Sequence, residues 1–347
     1  MNIYELVVAT EITAYWEDKN KDREPYLGEE LFPNDKRLGL KLDWLKGAKG
    51  LPVVLAPSAF DAEAKKRARI AFDKLSAQMP FFKESVYIDE ELRQQLNMVI
   101  ETGNQEYIDS VLTKVFDDNT GLIDGAAAQR ERMRMMALTT GAISIVANGQ
   151  NYAYDYGVSE AQKKQAKVSW SNPAADILGD ITEWQDDRED ETGVRPSRAV
   201  CSRKTWGYIL KNTAIRNAIL GNNSGAMVSD SKVRQYLLDE HGLEVVVYTK
   251  RYIDEAGVSH KYVADDVFSM FPAGHLGKGW FGTTPEESDL MGNLTGEGVS
   301  VSIVDTGVAI TTTTKTDPVT VDTKATMIYL PSFETADQII IADVIAE

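Results

Sequence analysis

Residues 40–60 read LKLDWLKGAKGLPVVLAPSAF, and no other stretch limits the fold as tightly. Leu38, Leu40, Leu42 and Trp44 alternate with Gly39, Lys41 and Asp43, the period-two signature of a half-buried strand. Gly47 and Gly50 end that strand, an apolar run through Val53, Val54 and Leu55 follows, and Pro52 and Pro57 break it. A charged stretch at 61–69 leads into IAFDKLSAQMPFFKE, which reads as a returning strand. The two arms stand about twenty residues apart, a connection that is uncommon inside a compact domain and usually functional. The stretch holds no plausible catalytic group. An isolated hairpin is marginal in water, so Leu40, Leu42, Trp44, Val53, Val54, Leu55 and Phe60 need cover that a neighbouring chain can give. Lys46, Lys49, Lys65, Lys66 and Arg67 are expected on the same contact surface.

Composition narrows the classes. At 347 residues, with 43% apolar and 26% charged side chains, the chain has the make-up of a globular protein of one or two domains. Its 37 Lys and Arg against 53 Asp and Glu leave a formal charge of −16, which repels phosphate backbones. Direct nucleic-acid binding is therefore not expected as its main role. A single cysteine, Cys201, allows no disulfide within the chain and fits a reducing compartment. The N-terminal residues lack the layout of a secretory signal, and no apolar run approaches the roughly 20 residues that span a bilayer. Synthesis in a cytoplasm and no membrane partner are the expectations.

Further along, Ile3, Leu6, Val7, Ile12, Tyr15 and Trp16 predict an amphipathic helix over 3–18. Residues 89–148 read as helical, with a long helix within 104–148 and a break near Asn119 to Gly121. Asn172 and Pro173 predict a helix start carrying Ile177, Leu178, Ile181 and Trp184. Strand RAVCS, helices RKTWGYILKN and SKVRQYLLDEHG, strand LEVVVYT, a hairpin turning on Asp254 to Gly257, and strand DDVFSMFP come next. That alternation predicts an α/β module over 171–305. A threonine-rich loop at 311–316 and strands ATMIYLP and QIIIADVIAE complete the chain.

Chemistry finds little purchase. His241, His260 and His275 are not spaced as metal ligands, and no Cys-x-x-Cys or His-Glu-x-x-His occurs. GHLGKGWFG at 274–282 lacks the order of a phosphate-binding loop and reads as a flexible loop. No Gly-x-Ser-x-Gly elbow is present, and Cys201 falls in a predicted strand as a small buried residue. No catalytic residue, metal or cofactor is therefore assigned, and the chain is not expected to be an enzyme. The acidic run at 186–191 sits unfavourably at a helix C-terminus, and a charged partner on a neighbouring subunit is one way to balance it. The basic sets Lys65, Lys66, Arg67, Arg69 and Arg130, Arg132, Arg134 are either solvated, paired within the chain, or complementary to acidic runs on another copy.

LFPNDKRLGLKLDWLKGAKGLPVVLAPSAFDAEAKKR (31–67), MPFFKESVYIDE (79–90), YILKNTAIRNAI and VVVYTKRYIDEAGVSHKYVADDVFSMFP together resemble the phage major capsid protein E family, the lambda-type major head proteins. The resemblance covers nearly the whole chain. It implies an α+β Hong Kong 97-like capsid fold: an N-terminal arm at 1–37, an extended hairpin (the E-loop) at 38–86, and a peripheral domain with a long spine helix at 87–170. An axial domain at 171–305 and C-terminal strands at 306–347 returning to the peripheral domain complete that expectation. The implied function is a subunit that self-assembles as pentamers and hexamers into an icosahedral shell around DNA, bound without sequence preference. Since 1–37 leave no room for the helical scaffolding segment of some relatives, a separate scaffolding protein is implied. Portal and decoration proteins are the other partners, and the virion is the destination. A nanocompartment shell of the same fold around a cargo enzyme is the alternative.

Overall fold

A computed structural model describes residues 7–46, 73–101, 105–147, 149–221, 227–292, 296, 298–317 and 319–345. In chain order the helices are α1 (Ala9–Lys19), α2 (Leu27–Leu31), α3 (Glu90–Glu101), α4 (Gln105–Thr140), α5 (Ile177–Thr192), α6 (Arg203–Lys211), α7 (Thr213–Leu220), α8 (Asp230–His241) and α9 (Pro285–Met291). The strands begin with β1 (Asn34–Lys36), β2 (Lys41–Lys46), β3 (Asp73–Gln78), β4 (Phe81–Ile88), β5 (Ala142–Ala147), β6 (Gln150–Asp155), β7 (Lys163–Gln165), β8 (Arg198–Cys201) and β9 (Glu244–Val247). They continue with β10 (Arg251–Ile253), β11 (Ser259–Lys261), β12 (Val267–Phe271), β13 (Gly279–Phe281), β14 (Val299–Val304), β15 (Val308–Thr316), β16 (Val319–Pro331) and β17 (Ile340–Asp343). The chain divides into two compact units. The first draws on Met1–Leu42, Ala77–Met133 and Lys278–Ser332, the second on Asp43–Ser76, Arg134–Gly277 and Phe333–Glu347.

The first unit is built on a six-stranded sheet in the order β1-β13-β16-β15-β14, with β4 also hydrogen-bonded to β16. β16 is its axis. It pairs with β15 along 319–327, with β4 along 321–328 and with β13 along 329–331. The threonines at 311–316, expected as a loop, lie inside β15, where Thr311 and Thr312 are buried. A threonine is β-branched and fits a pleated, packed surface better than its hydroxyl suggests.

Helix α1 lies against that sheet through Thr13, whose hydroxyl is 3.1 Å from that of Ser302. It also packs along α4: Tyr15 stacks on Phe116 at 5.3 Å and hydrogen-bonds Asp117, while Trp16 Nε1 donates to Asp124 at 3.0 Å. Helix α4 runs unbroken through 119–121, against expectation. There Asn119 Nδ2 donates to the Val115 carbonyl and the Thr120 hydroxyl to that of Asp117, so both polar side chains fold back onto their own helix. The helix stops at Gly141, whose φ of +74° few other residues adopt and whose added Cβ would meet Val158 at 2.6 Å. Residues 142–147, expected as helix, therefore begin the β5–β6 hairpin instead.

The second unit holds a mixed five-stranded sheet, β7-β17-β12-β8-β9, in which β8–β9 and β7–β17 are parallel. Residues 306–347, expected to act together, are split. β15 and β16 stay in the first unit, while Ile340, Ala342 and Val344 fill the core of the second. Residues 278–305, expected in the α/β module, belong to the first unit, where β13 occupies part of the predicted flexible loop. Helix α5 starts at Ile177 rather than Pro173. Asp176 is its cap, accepting from the Gly179 amide at 3.0 Å, and Asn172 instead makes a preceding turn. The acidic run that closes α5 is balanced inside its own chain: Arg195 reaches Asp186 at 2.5 Å and Glu189 at 2.7 Å, Lys164 meets Asp187 at 2.6 Å, and Arg188 pairs with Glu191. A partner subunit is not needed there.

His241 closes α8 beside α5, its Nδ1 3.3 Å from the Thr182 hydroxyl and its carbonyl accepting from Gln185 Nε2. Burial pushes its pKa down, Glu240 opposes and Arg195 adds to the fall. The unfolded imidazole takes its proton near pH 6.5, the folded one at lower pH. The stability it contributes is thus present above that value and lost as pH falls below it. In urea titrations at pH 7.5 and 5.5, His241→Gln is expected to lose less stability on acidification than the parent chain.

Candidate assembly surface

The early hairpin is rooted on the first unit. Gly39, at φ +91°, turns the chain ahead of β2, and the Met79 amide donates to the Leu40 carbonyl at 2.8 Å to close the root between the two arms. Strand β2 pairs with β3. A Cβ on Gly282 would stand 3.0 Å from the Gly39 oxygen and 3.0 Å from the Met79 methyl, so this root lies closely on the sheet below.

Among the residues expected to face another copy, Leu40 stands 46% exposed on the approach to β2, with Leu38 before it 80% exposed. Leu42 corrects the expectation. It is fully buried within its own chain, the inward member of the alternation, and needs no cover from elsewhere. Trp44 and Lys46 lie on β2, but their side chains fall outside the described residues, as do Lys49, Val53, Val54, Leu55, Phe60, Lys65, Lys66 and Arg67 altogether.

For the basic set on α4, the alternative of pairing within the chain holds at Arg130. Arg130 and Arg134 are buried, and Arg130 Nη2 holds Asp305 Oδ2 at 2.6 Å with its guanidinium 5.2 Å over the Phe281 ring. They lie on the stretch of α4, residues 126–139, in which every residue is buried or half-buried, where periodicity alone reads charge as exposure. These arginines are not a surface for another copy.

Strand β4 brings to the surface what the sequence pattern left unmarked. It is eight residues long, FFKESVYI, and only β16 pairs with it among the described residues, so its other edge is open. Phe81 and Tyr87 are exposed near its two ends, Tyr87 at 65%. Neither Lys83 nor Glu84 joins an ion pair among the described residues, although Lys36, Lys278, Lys315 and Lys324 of the same unit all do. No proline or glycine interrupts the strand, so nothing blunts its edge except these charges. The clue in the sequence was the alternation of FFKESVYI directly after the Met79-Pro80 step.

Among the described residues no group of three or more His, Cys, Asp or Glu is arranged to hold a metal ion, and no helix is long and apolar enough to cross a membrane. Cys201 is fully buried in β8, and burial pushes its thiol pKa up to about 12, far from a reactive thiolate.

The arrangement can be set beside known proteins. No curated protein sequence matches the chain. Its fold is shared with a structure assigned as a prophage capsid protein of Escherichia coli CFT073, at TM-score 0.62 and 14% identity over 98% of this chain and 99% of that one. The capsid subunit of cyanophage A-1(L) aligns at TM-score 0.53 and 11% identity over 92% of each chain. A phage-related protein of Bordetella bronchiseptica RB50 aligns at TM-score 0.51 and 12% identity over 97% of each. At such identities the likeness is one of fold, the α+β Hong Kong 97-like fold of phage capsid subunits. The sequence profile described as phage major capsid protein E matches residues 9–344, and the chain belongs to that family.

Proposed function

We propose that copies of this major capsid protein join through the early hairpin, residues 38–86, into pentamers and hexamers of an icosahedral head that encloses double-stranded DNA. The observation that carries the proposal is the hairpin root itself. It is anchored at Met79 and Leu40, flanked by exposed Leu38 and Leu40, and continues into the open strand β4. Head-to-tail repetition of one such contact generates closed rings and extended lattices. The formal charge of −16 suits a wall past which a polyanion must slide. In this reading residues 1–37 are the arm, 38–86 the E-loop, and α4 the spine of the peripheral domain. The α/β part of the second unit is the axial domain. A separate scaffolding protein, a portal and a decoration protein are the proposed partners, with synthesis in the host cytoplasm. The nanocompartment alternative shares the fold but gains nothing from a family match to phage capsid subunits.

Replacing residues 47–66 by a short Gly-Ser linker tests this. The variant is expected to keep its circular dichroism and solubility but to form no shells in electron micrographs. Normal particles from the same variant would show that the excursion is dispensable.

A further inference from the structure

The open edge of β4 specifies a partner more closely than general stickiness does. Its outward backbone groups, met by water in the lone chain, form a row that another extended strand matches group for group. Resting on the reading that this chain assembles with copies of itself, we propose that β4 pairs antiparallel with β4 of a second copy across a two-fold axis, centred on Ser85.

Symmetry restricts the register. A two-fold that joins two identical sheet edges antiparallel stands perpendicular to the sheet and keeps each face continuous. A residue can then oppose only residues that share its own face, which excludes every odd offset. Centring on Glu84 sets that carboxylate against its own copy, and centring on Lys83 does the same with two ammonium groups, both unfavourable. Centring on Val86 leaves only residues 84–88 paired within the strand. Centring on Ser85 pairs the whole of 82–88: Phe82 against Ile88, Lys83 against Tyr87, and Glu84 against Val86. Lys83 then lies within reach of the exposed Tyr87 ring, a cation–π contact, and does so twice by symmetry. Two exposed features of the strand, a lysine in no ion pair among the described residues and an outward tyrosine, thereby receive a common explanation.

Cysteine scanning separates this register from its rivals. In Ser85→Cys the two thiols face each other across the axis, at the short separations opposed residues have in an antiparallel pair. In Tyr87→Cys the thiols sit four residues apart along the strands, roughly 13 Å at the strand rise, beyond disulfide reach. Both variants are prepared as free subunits and as assemblies, oxidised mildly, and read on non-reducing gels. Buried Cys201 provides a silent background. Expected is a reductant-sensitive dimer for Ser85→Cys, at least tenfold more abundant than for Tyr87→Cys. Equal yields at the two positions, or no dimer at Ser85→Cys in particles that assemble normally, would overturn the pairing while leaving self-assembly intact. Failure of the unmodified chain to form any assembly overturns instead the reading on which the pairing rests, and the pairing with it.

Discussion

Arg130→Met is expected to destabilise the first unit more than any single change at its surface. Breaking a buried ion pair by removing one partner costs about 3–5 kcal/mol, and the low end applies here because Asp305 keeps a side-chain exposure of 29%. Methionine replaces the aliphatic stem and part of the contact with Phe281, so the loss reads mainly as electrostatic. Urea denaturation measures it as a fall in the midpoint at unchanged slope. Asp305 makes the cause separable. It is a non-glycine residue at φ +56° in the turn between β14 and β15, a conformation that costs about 1 kcal/mol. Asp305→Gly combined with Arg130→Met removes both the stranded carboxylate and that strain, and half or more of the lost stability is expected to return. A double variant no better than Arg130→Met alone would assign the loss to packing and not to charge.

The residues of this pair also show where the sequence is silent. Caps and turns are legible because they are local. Gly242 closes α8 and the β10–β11 hairpin turns at Asp254 to Gly257, both as the sequence predicts, whereas Ser202, read as the end of a strand, caps α6 by accepting from the Thr205 amide. The same is true of β8, β9 and β12, whose apolar runs contain no competing signal. Burial of charge is a different matter. QRERMR on α4 reads as a polar face, and partners far along the chain, Asp305 and Phe281, hold Arg130 inward. The threonines of β15 and the Asn119 to Gly121 stretch of α4 carry weak local preferences that neighbouring strands and helices override. The assembly surface divides in the same way. The hairpin could be found from its alternation and its lack of chemistry, whereas Leu42 turning inward and the open edge of β4 depend on where β16 lies.

Trp170→Ala is expected to cost the second unit about 3–5 kcal/mol, the range for removing a buried large aromatic side chain. The indole is 1% exposed, stacks on Trp184 at 5.7 Å and meets Phe268 at 5.2 Å, so its loss opens a cavity in the centre of this core. Its ring nitrogen also acts as a donor, with Nε1 2.9 Å from Asp180 Oδ2. Burial raises the Asp180 pKa, and the Trp170 hydrogen bond is the first influence holding it down. Trp170→Phe isolates that donor, keeping most of the apolar contact while removing the N–H. A hydrogen bond to a charged group is worth about 2 kcal/mol, and that cost applies while Asp180 is ionised. Without the indole N–H the folded pKa rises further, so the folded state binds its proton more readily than in the parent chain. The penalty of Trp170→Phe is then full at neutral pH and shrinks as pH falls through the raised folded value, vanishing where both chains are protonated. Urea midpoints of parent and variant are expected to converge on titration from pH 7 towards pH 4. A difference that stays constant over that interval would place the effect in packing, and Trp170 would then act on Asp180 only as a neighbour.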